Sequence, residues 1–219
     1  MREPACHLAP GLRTLGRNDL RNVVKNQQSG GIGQLGAPRD QAGGMLPGPA
    51  RGGMQFKRLL PGTIDRVWSY LVEGEKRGKW LAGGDTEERV GGHVDLNFHN
   101  TSLSNLPDDP PPEKYKDMPE QTSYAGKVTQ CEPKTLLAHT WVGDGDEDSE
   151  VTYELEQRDE GVLLTLTHRR IIGRDRLTGV CGGWHTHLDI LADVLAENEP
   201  QAFWRTFTAL EAEYDSRLA

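Results

Sequence analysis

Apolar residues recur along this chain with two periods, and the switch between them outlines a fold. Phe56, Leu59 and Leu60 form a short run closed by Pro61-Gly62, which predicts a strand and a turn. Thr63 is placed to cap a helix, and Asp65 lies in its first turn, where a carboxylate favours the helix dipole. Ile64, Val67, Trp68 and Leu71 then repeat at helical spacing. Residues 75–81 predict a second short helix ending at Gly83-Gly84. Next the period drops to two. Val94, Leu96 and Phe98 alternate with His93, Asp95, Asn97 and His99, the mark of a half-buried strand. Residues 101–121 hold five prolines and predict a long surface loop, either a lid over a cavity or a plain insertion. Strand patterns resume at 123–131, 135–142, 150–157 and 162–168, joined by short polar links that suit an antiparallel meander. After Gly182-Gly183, Trp184, Leu188, Leu191 and Leu195 make a helical stripe. It is interrupted at 197–200, where a proline disfavours helix, and continues through Phe203, Phe207, Leu210 and Tyr214. The predicted class is α+β: a curved antiparallel sheet and a long C-terminal helix that bury one apolar face each, with two short helices after the first strand.

Composition divides the chain near Met54. Residues 1–53 carry seven Lys/Arg, three Asp/Glu, 11 Gly, 5 Pro and none of the 14 aromatic residues, a formal charge of +4. Residues 54–219 carry 18 basic and 30 acidic residues, a charge of −12. A ring-free, Gly-rich segment buries too little apolar area to offset its chain entropy. Residues 1–53 therefore read as a disordered extension, or as residues upstream of a true start at Met54. They lack the continuous apolar stretch of a signal peptide, and scarce Ser with abundant Gly argues against a transit peptide. No window of 18 apolar residues exists, so no membrane span is expected. The acidic body disfavours nucleic acid as a partner. Cys6, Cys131 and Cys181 are too few and scattered for a disulfide framework or zinc knuckle, so a cytoplasmic protein without a cofactor or bound metal is expected.

Several strings together carry a family resemblance. They are Ile64-Asp65-Arg66-Val67-Trp68, Lys79-Trp80-Leu81, Val90-Gly91-Gly92-His93-Val94, Thr140-Trp141, Val151-Thr152-Tyr153-Glu154-Leu155, Leu164-Thr165-Leu166-Thr167-His168, and Gly182-Gly183-Trp184 with His187-Leu188. In this order, across 54–219, the chain resembles the SRPBCC superfamily (START and birch-pollen-allergen-like proteins). More narrowly it resembles the branch named after the C-terminal domain of the activator of Hsp90 ATPase. The resemblance implies a helix-grip fold with a cavity between sheet and C-terminal helix that takes small hydrophobic molecules. The Hsp90 activator has a separate N-terminal domain, and residues 1–53 are too short and Gly-rich to supply it.

Alternation and helical spacing name the expected cavity lining: Val94, Leu96, Phe98, Trp141, Tyr153, Leu155, Leu164, Leu166 and His168 from the sheet, opposed by Trp184, Leu188 and Leu191. Rings at these spacings also fill ordinary cores. His168 is the one catalytic candidate, a general base on an otherwise apolar face, and a buried, structurally bonded imidazole is the competing reading. His185 and His187 point to different helix faces, and His93 and His99 lie on a solvated strand face, so neither pair is expected to hold a metal. Asp144, Asp146 and Asp148 imitate the start of a calcium loop, but Ser149 and Leu155 stand where Gly and Glu are needed. Cys181 sits where a helix N-terminus would lower its thiol pKa, or is simply a small buried residue. No phosphate loop, dinucleotide fingerprint or nucleophile elbow is present. The expected function is binding of a small hydrophobic molecule. The alternatives are a chaperone-associated interaction module and, third, a cyclase or hydrolase using the same pocket.

Overall fold

The computed structural model describes residues 51–141 and 149–218. β1 (Arg51–Leu60) leads into α1 (Ile64–Val72) and the single-turn α2 (Gly74–Arg77). The sheet continues with β2 (His93–Phe98), β3 (Thr122–Glu132), β4 (Leu136–Thr140), β5 (Glu150–Arg158) and β6 (Gly161–Ile172). Two helices close the chain, α3 (Arg174–Leu195) and α4 (Phe203–Leu218). The six strands lie in the order β1-β6-β5-β4-β3-β2, all neighbours antiparallel. β1 thus closes against the last strand, which the meander alone does not specify. It begins three residues upstream of Met54, pairing Arg51 with Ile172; residues 1–50 lie outside the described part. The acidic triplet Asp144, Asp146 and Asp148 also lies outside the described residues. Among those described, no helix is long and apolar enough to cross a membrane.

Register explains where the core sits. Met54, His168, Val151 and His139 form one row across the sheet, and Phe56, Leu166, Tyr153 and Leu137 the next. All eight side chains are buried, so both rows face α3. Thr63 caps α1 by accepting from the Arg66 amide, and Val67, Trp68, Leu71 and Val72 form its buried face.

Three elements depart from the sequence reading. α2 stops at Arg77 rather than running to 81, because the backbone beyond it is bonded elsewhere. The Trp80 carbonyl accepts from His187 Nδ1, and the carbonyls of Ala82, Gly83 and Gly84 accept from Arg77. α3 begins at Arg174 and runs straight through Gly182-Gly183, where the sequence suggested a start. A Cβ on Gly182 would lie 3.3 Å from the backbone of Glu211, so this glycine lets α3 and α4 approach closely instead of breaking a helix. Close approach there offsets the roughly 1 kcal/mol that a helix-interior glycine costs. Cys181 is consequently mid-helix and fully buried, and burial pushes its thiol up to about 12, which removes the activated-thiol reading. Finally, the stripe beyond 200 does not extend the grip helix. Glu197 adopts a left-handed φ of 62° and the chain turns back. Arg174 bonds the carbonyls of Asp215 and Leu218, Gly182 abuts Glu211, and the His187 ring meets Phe203, so α4 runs antiparallel along α3.

One buried charge ties the first third of the domain together. The Arg77 side chain, 3% exposed, donates to the carbonyls of Leu71, Ala82, Gly83, Gly84 and Asp95 and to the Thr86 hydroxyl. It joins the end of α1, the 82–86 turn and β2. Gly84 is required in that turn: its φ is +98°, and a Cβ there would stand 2.5 Å from the Asp95 carbonyl. Replacing Arg77 with Met strips donors from several buried carbonyls, each worth about 1–3 kcal/mol when left unpaired. We expect Arg77→Met to lower the unfolding free energy of the full chain by about 3 kcal/mol or more in urea titrations. Arg77→Lys should recover only part, since an ammonium lacks the guanidinium's forked donors.

Candidate functional site

Eleven of the twelve residues that the sequence assigned to a cavity belong to, or pack against, one apolar cluster, and the twelfth, His168, is buried against its Trp184. Val94 and Leu96 come from β2, Tyr153 and Leu155 from β5, Leu164, Leu166 and His168 from β6, and Trp184, Leu188 and Leu191 from α3; all are buried. Phe98 and Trp141 are half-buried at its margin. Four of the twelve make a ring nest between sheet and helix. Trp184 lies 5.0 Å from Trp141, 5.9 Å from Tyr153 and 6.2 Å from His168, centroid to centroid. His139, which the sequence reading passed over, stacks on both Trp141 and Tyr153.

His168 is locked inside this nest. The Trp184 indole is a pure donor and gives its N–H to His168 Nδ1 at 3.0 Å. Nδ1 therefore carries no proton, and the neutral ring carries it on Nε2, which faces Ser149 Oγ at 2.6 Å. The lone pair that a general base would use is occupied. Burial pushes the imidazole down to about 3, with the nearby His139, Arg176 and Arg170 acting in the same direction. His139 and His187 are likewise buried and driven down to about 4, each donating Nδ1–H to a backbone carbonyl. His185 points the other way, to Tyr214 and Asp189, so the two helix histidines diverge as expected.

A hollow opens beyond the nest. Phe98, packed on Trp141 and His187, separates the rings from a cavity of about 240 Å³. Its other walls are Asn100, Thr101 and Thr122 beside the end of β2, Pro111, Met118, Pro119 and Glu120 from the proline-rich loop, and Trp204 from α4. Of these, only Phe98 was named from sequence.

The proline-rich loop is a strap pinned to α4. Asp108 accepts from the amides of Trp204 and Arg205 at 2.9 and 3.0 Å, capping a helix 96 residues away. Arg205 returns two bonds to Asp109, Glu199 accepts from the Asn105 amide at 2.7 Å, and Ser104 donates to the Pro200 carbonyl. Tyr115 lays its ring on Trp204 and Phe207 and bonds Glu211. The loop thereby contributes Pro111, Met118, Pro119 and Glu120 to the border of this hollow.

The buried histidines have a pH consequence. In the unfolded chain all three titrate near pH 6.5; in the folded chain they resist protonation down to about 3 to 4. Between those limits the unfolded state binds more protons, so stability falls as pH falls. We expect urea midpoints to hold steady above about pH 7 and to drop steeply from about pH 6.5 toward 4. His168→Gln should reduce that slope by about one proton. A flat profile through this window would contradict the locked, neutral nest.

The family model described as Activator of Hsp90 ATPase homolog 1-like protein matches residues 61–196, from the turn before α1 to the end of α3. A Bordetella parapertussis protein with an NMR solution structure is 36% identical, with a TM-score of 0.65 over 85% of this chain and 95% of its own. CalU16 from Micromonospora echinospora is 21% identical, TM-score 0.55, covering 77% of this chain and 88% of its own. A conserved protein of unknown function from Enterococcus faecalis is 19% identical, TM-score 0.54, covering 77% and 85%. At those last two identities the likeness is one of fold. No curated protein matches. With its helix-grip sheet, its grip helix and the family match over most of the described domain, this chain belongs to the activator of Hsp90 ATPase homolog 1-like family of the SRPBCC superfamily.

Proposed function

We propose that this domain binds a small hydrophobic molecule in the cavity walled by Phe98 and Trp204, with the ring nest of Trp141, Tyr153, His168 and Trp184 as the backing behind Phe98. The observation that carries the reading is the cavity itself: about 240 Å³, bounded by Phe98, Trp204, Met118 and two prolines together with Asn100, Thr101, Glu120 and Thr122. Binding sites are characteristically apolar hollows with a small number of placed polar atoms. The volume is below the roughly 300–1,000 Å³ usual for drug-sized ligands, which suits a small one.

Binding is favoured over catalysis by the state of His168. Its Nδ1 is taken by an indole and its Nε2 by a serine, and it is 1% exposed. Its part is to hold Trp184 against the sheet. The bonds of His168 to Trp184 and Ser149 hold the nest in one arrangement behind Phe98.

Native mass spectrometry of the full chain, purified gently and compared with the same sample denatured, tests this reading. The expected result is a discrete additional mass that is lost on denaturation. Phe98→Trp, which fills the hollow from its half-buried wall, should lose that mass while keeping a cooperative melt. A bare chain mass in both sprays, for wild type, would overturn the proposal.

A further inference from the structure

We infer that His185 is a proton-operated latch: while its ring is neutral it holds the C-terminal half of α4 against α3, and a second ring proton releases that half. The inference is independent of the ligand-binding reading, since none of its residues lines the hollow.

Side chains from three elements meet here. Arg58 of β1 gives Nε and Nη2 to Asp189 Oδ1 at 3.3 and 3.1 Å. Asp189 Oδ2 lies 3.4 Å from His185 Nε2, one turn away on α3. His185 Nδ1 lies 3.0 Å from the Tyr214 hydroxyl of α4. Phe56 of β1 packs on the rings of both His185 and Tyr214, at 5.7 and 6.3 Å between centroids. Tyr214 is 2% exposed, and the His185 side chain 12%.

The inventory of protons sets the direction of each contact. A carboxylate only accepts, so the neutral His185 ring keeps its proton on Nε2, facing Asp189. Nδ1 is then an acceptor, and the Tyr214 hydroxyl donates to it. Burial pushes the Tyr214 phenol up, so its proton stays on through neutral pH. A second ring proton lands on Nδ1 and turns that acceptor into a donor. The phenol proton then faces an N–H, buried and without an acceptor, which folded proteins avoid. The last turns of α4 relieve this by carrying Tyr214 toward solvent.

The surrounding charges do not cancel the effect. Asp189 draws a proton to the ring, but it is half-exposed and already engaged by Arg58, whose charge opposes that proton. Glu213 and Arg217 of α4 bond each other and act on His185 with opposite signs. Cys181 of α3, near Tyr214, keeps its proton, with its thiol pushed up to about 12. Burial is the largest influence and holds His185 below the ordinary histidine range. The docked state therefore binds fewer protons than the released one. Docking is complete above about pH 6.5 and weakens as pH falls below it.

Hydrogen exchange of the full-length chain, read by mass spectrometry at about pH 7.5 and 5.5 and corrected for intrinsic exchange rates, tests this. Peptides from β5 and β6 report global opening, which the nest histidines also make pH-dependent, so the readout is α4 relative to those strands. At the lower pH the C-terminal half of α4 should exchange about 5-fold faster relative to the strands than at the higher. His185→Gln should abolish that change, because its amide can accept from Tyr214 and donate toward Asp189 without titrating. Tyr214→Phe keeps the ring, removes only the hydroxyl, and should reduce the change to about 2-fold or less. An α4 that tracks the strands at both pH values overturns the inference. A response that persists at full size in either variant overturns it as well.

Discussion

Several nitrogen-bearing rings taken out of water in this domain bring a hydrogen-bond partner with them, and those pairings tie separate elements together. Trp80 donates to the Tyr70 carbonyl, Trp68 to Glu88, Trp184 to His168, and His187 to the Trp80 carbonyl. Each bond joins elements that the chain separates: α1 to the segment after α2, β6 to α3, and α3 back to the segment after α2. Apolar burial supplies the drive to collapse, but it is non-directional. These bonds set which helix face meets which strand. Arg77 does the same with a cation, gathering carbonyls from three segments that otherwise would be buried unpaired.

The two ends of the domain differ in character as a result. Between β4–β6 and α3 the rings are mutually packed, and His168 is bonded at both ring nitrogens. At the β2 end, beneath the strap, Asn100 Oδ1 is unsatisfied and an aromatic-walled hollow remains. The ring nest then acts as a stiff backing for Phe98, whose ring contacts Trp141 on one side and borders the hollow on the other.

The sequence made the strands and the inward face legible because a period of two survives local noise. Val94, Leu96, Tyr153, Leu164 and Leu166 are all buried where alternation placed them. It misled at Gly182-Gly183 because glycine punctuates helices far more often than it seats one helix against another. The fact that reverses that reading, the backbone of Glu211 3.3 Å from a Cβ on Gly182, is a tertiary one. The cavity wall was mostly illegible for a similar reason. Asn100, Glu120 and Trp204 come from a turn, a loop and a distant helix, and no periodicity links them. His139 was missed on β4 because its neighbours Leu137 and Ala138 are buried too, so alternation there is blurred.

The Asp108 cap has a consequence for how the hollow communicates with solvent. A helix N-terminus has amides with no partner inside the helix, and here the first turn of α4 takes its acceptor from the strap rather than from its own flank. The strap and the start of α4 are thereby one mechanical unit. Lifting the strap uncaps the helix, and fraying the helix frees the strap; Trp204, which sits at that junction, moves with either. Displacing the strap therefore costs α4 its cap, worth about 0.5–2 kcal/mol. The order of the strap and the order of the first turn of α4 are thus one property of the chain, set by a single carboxylate.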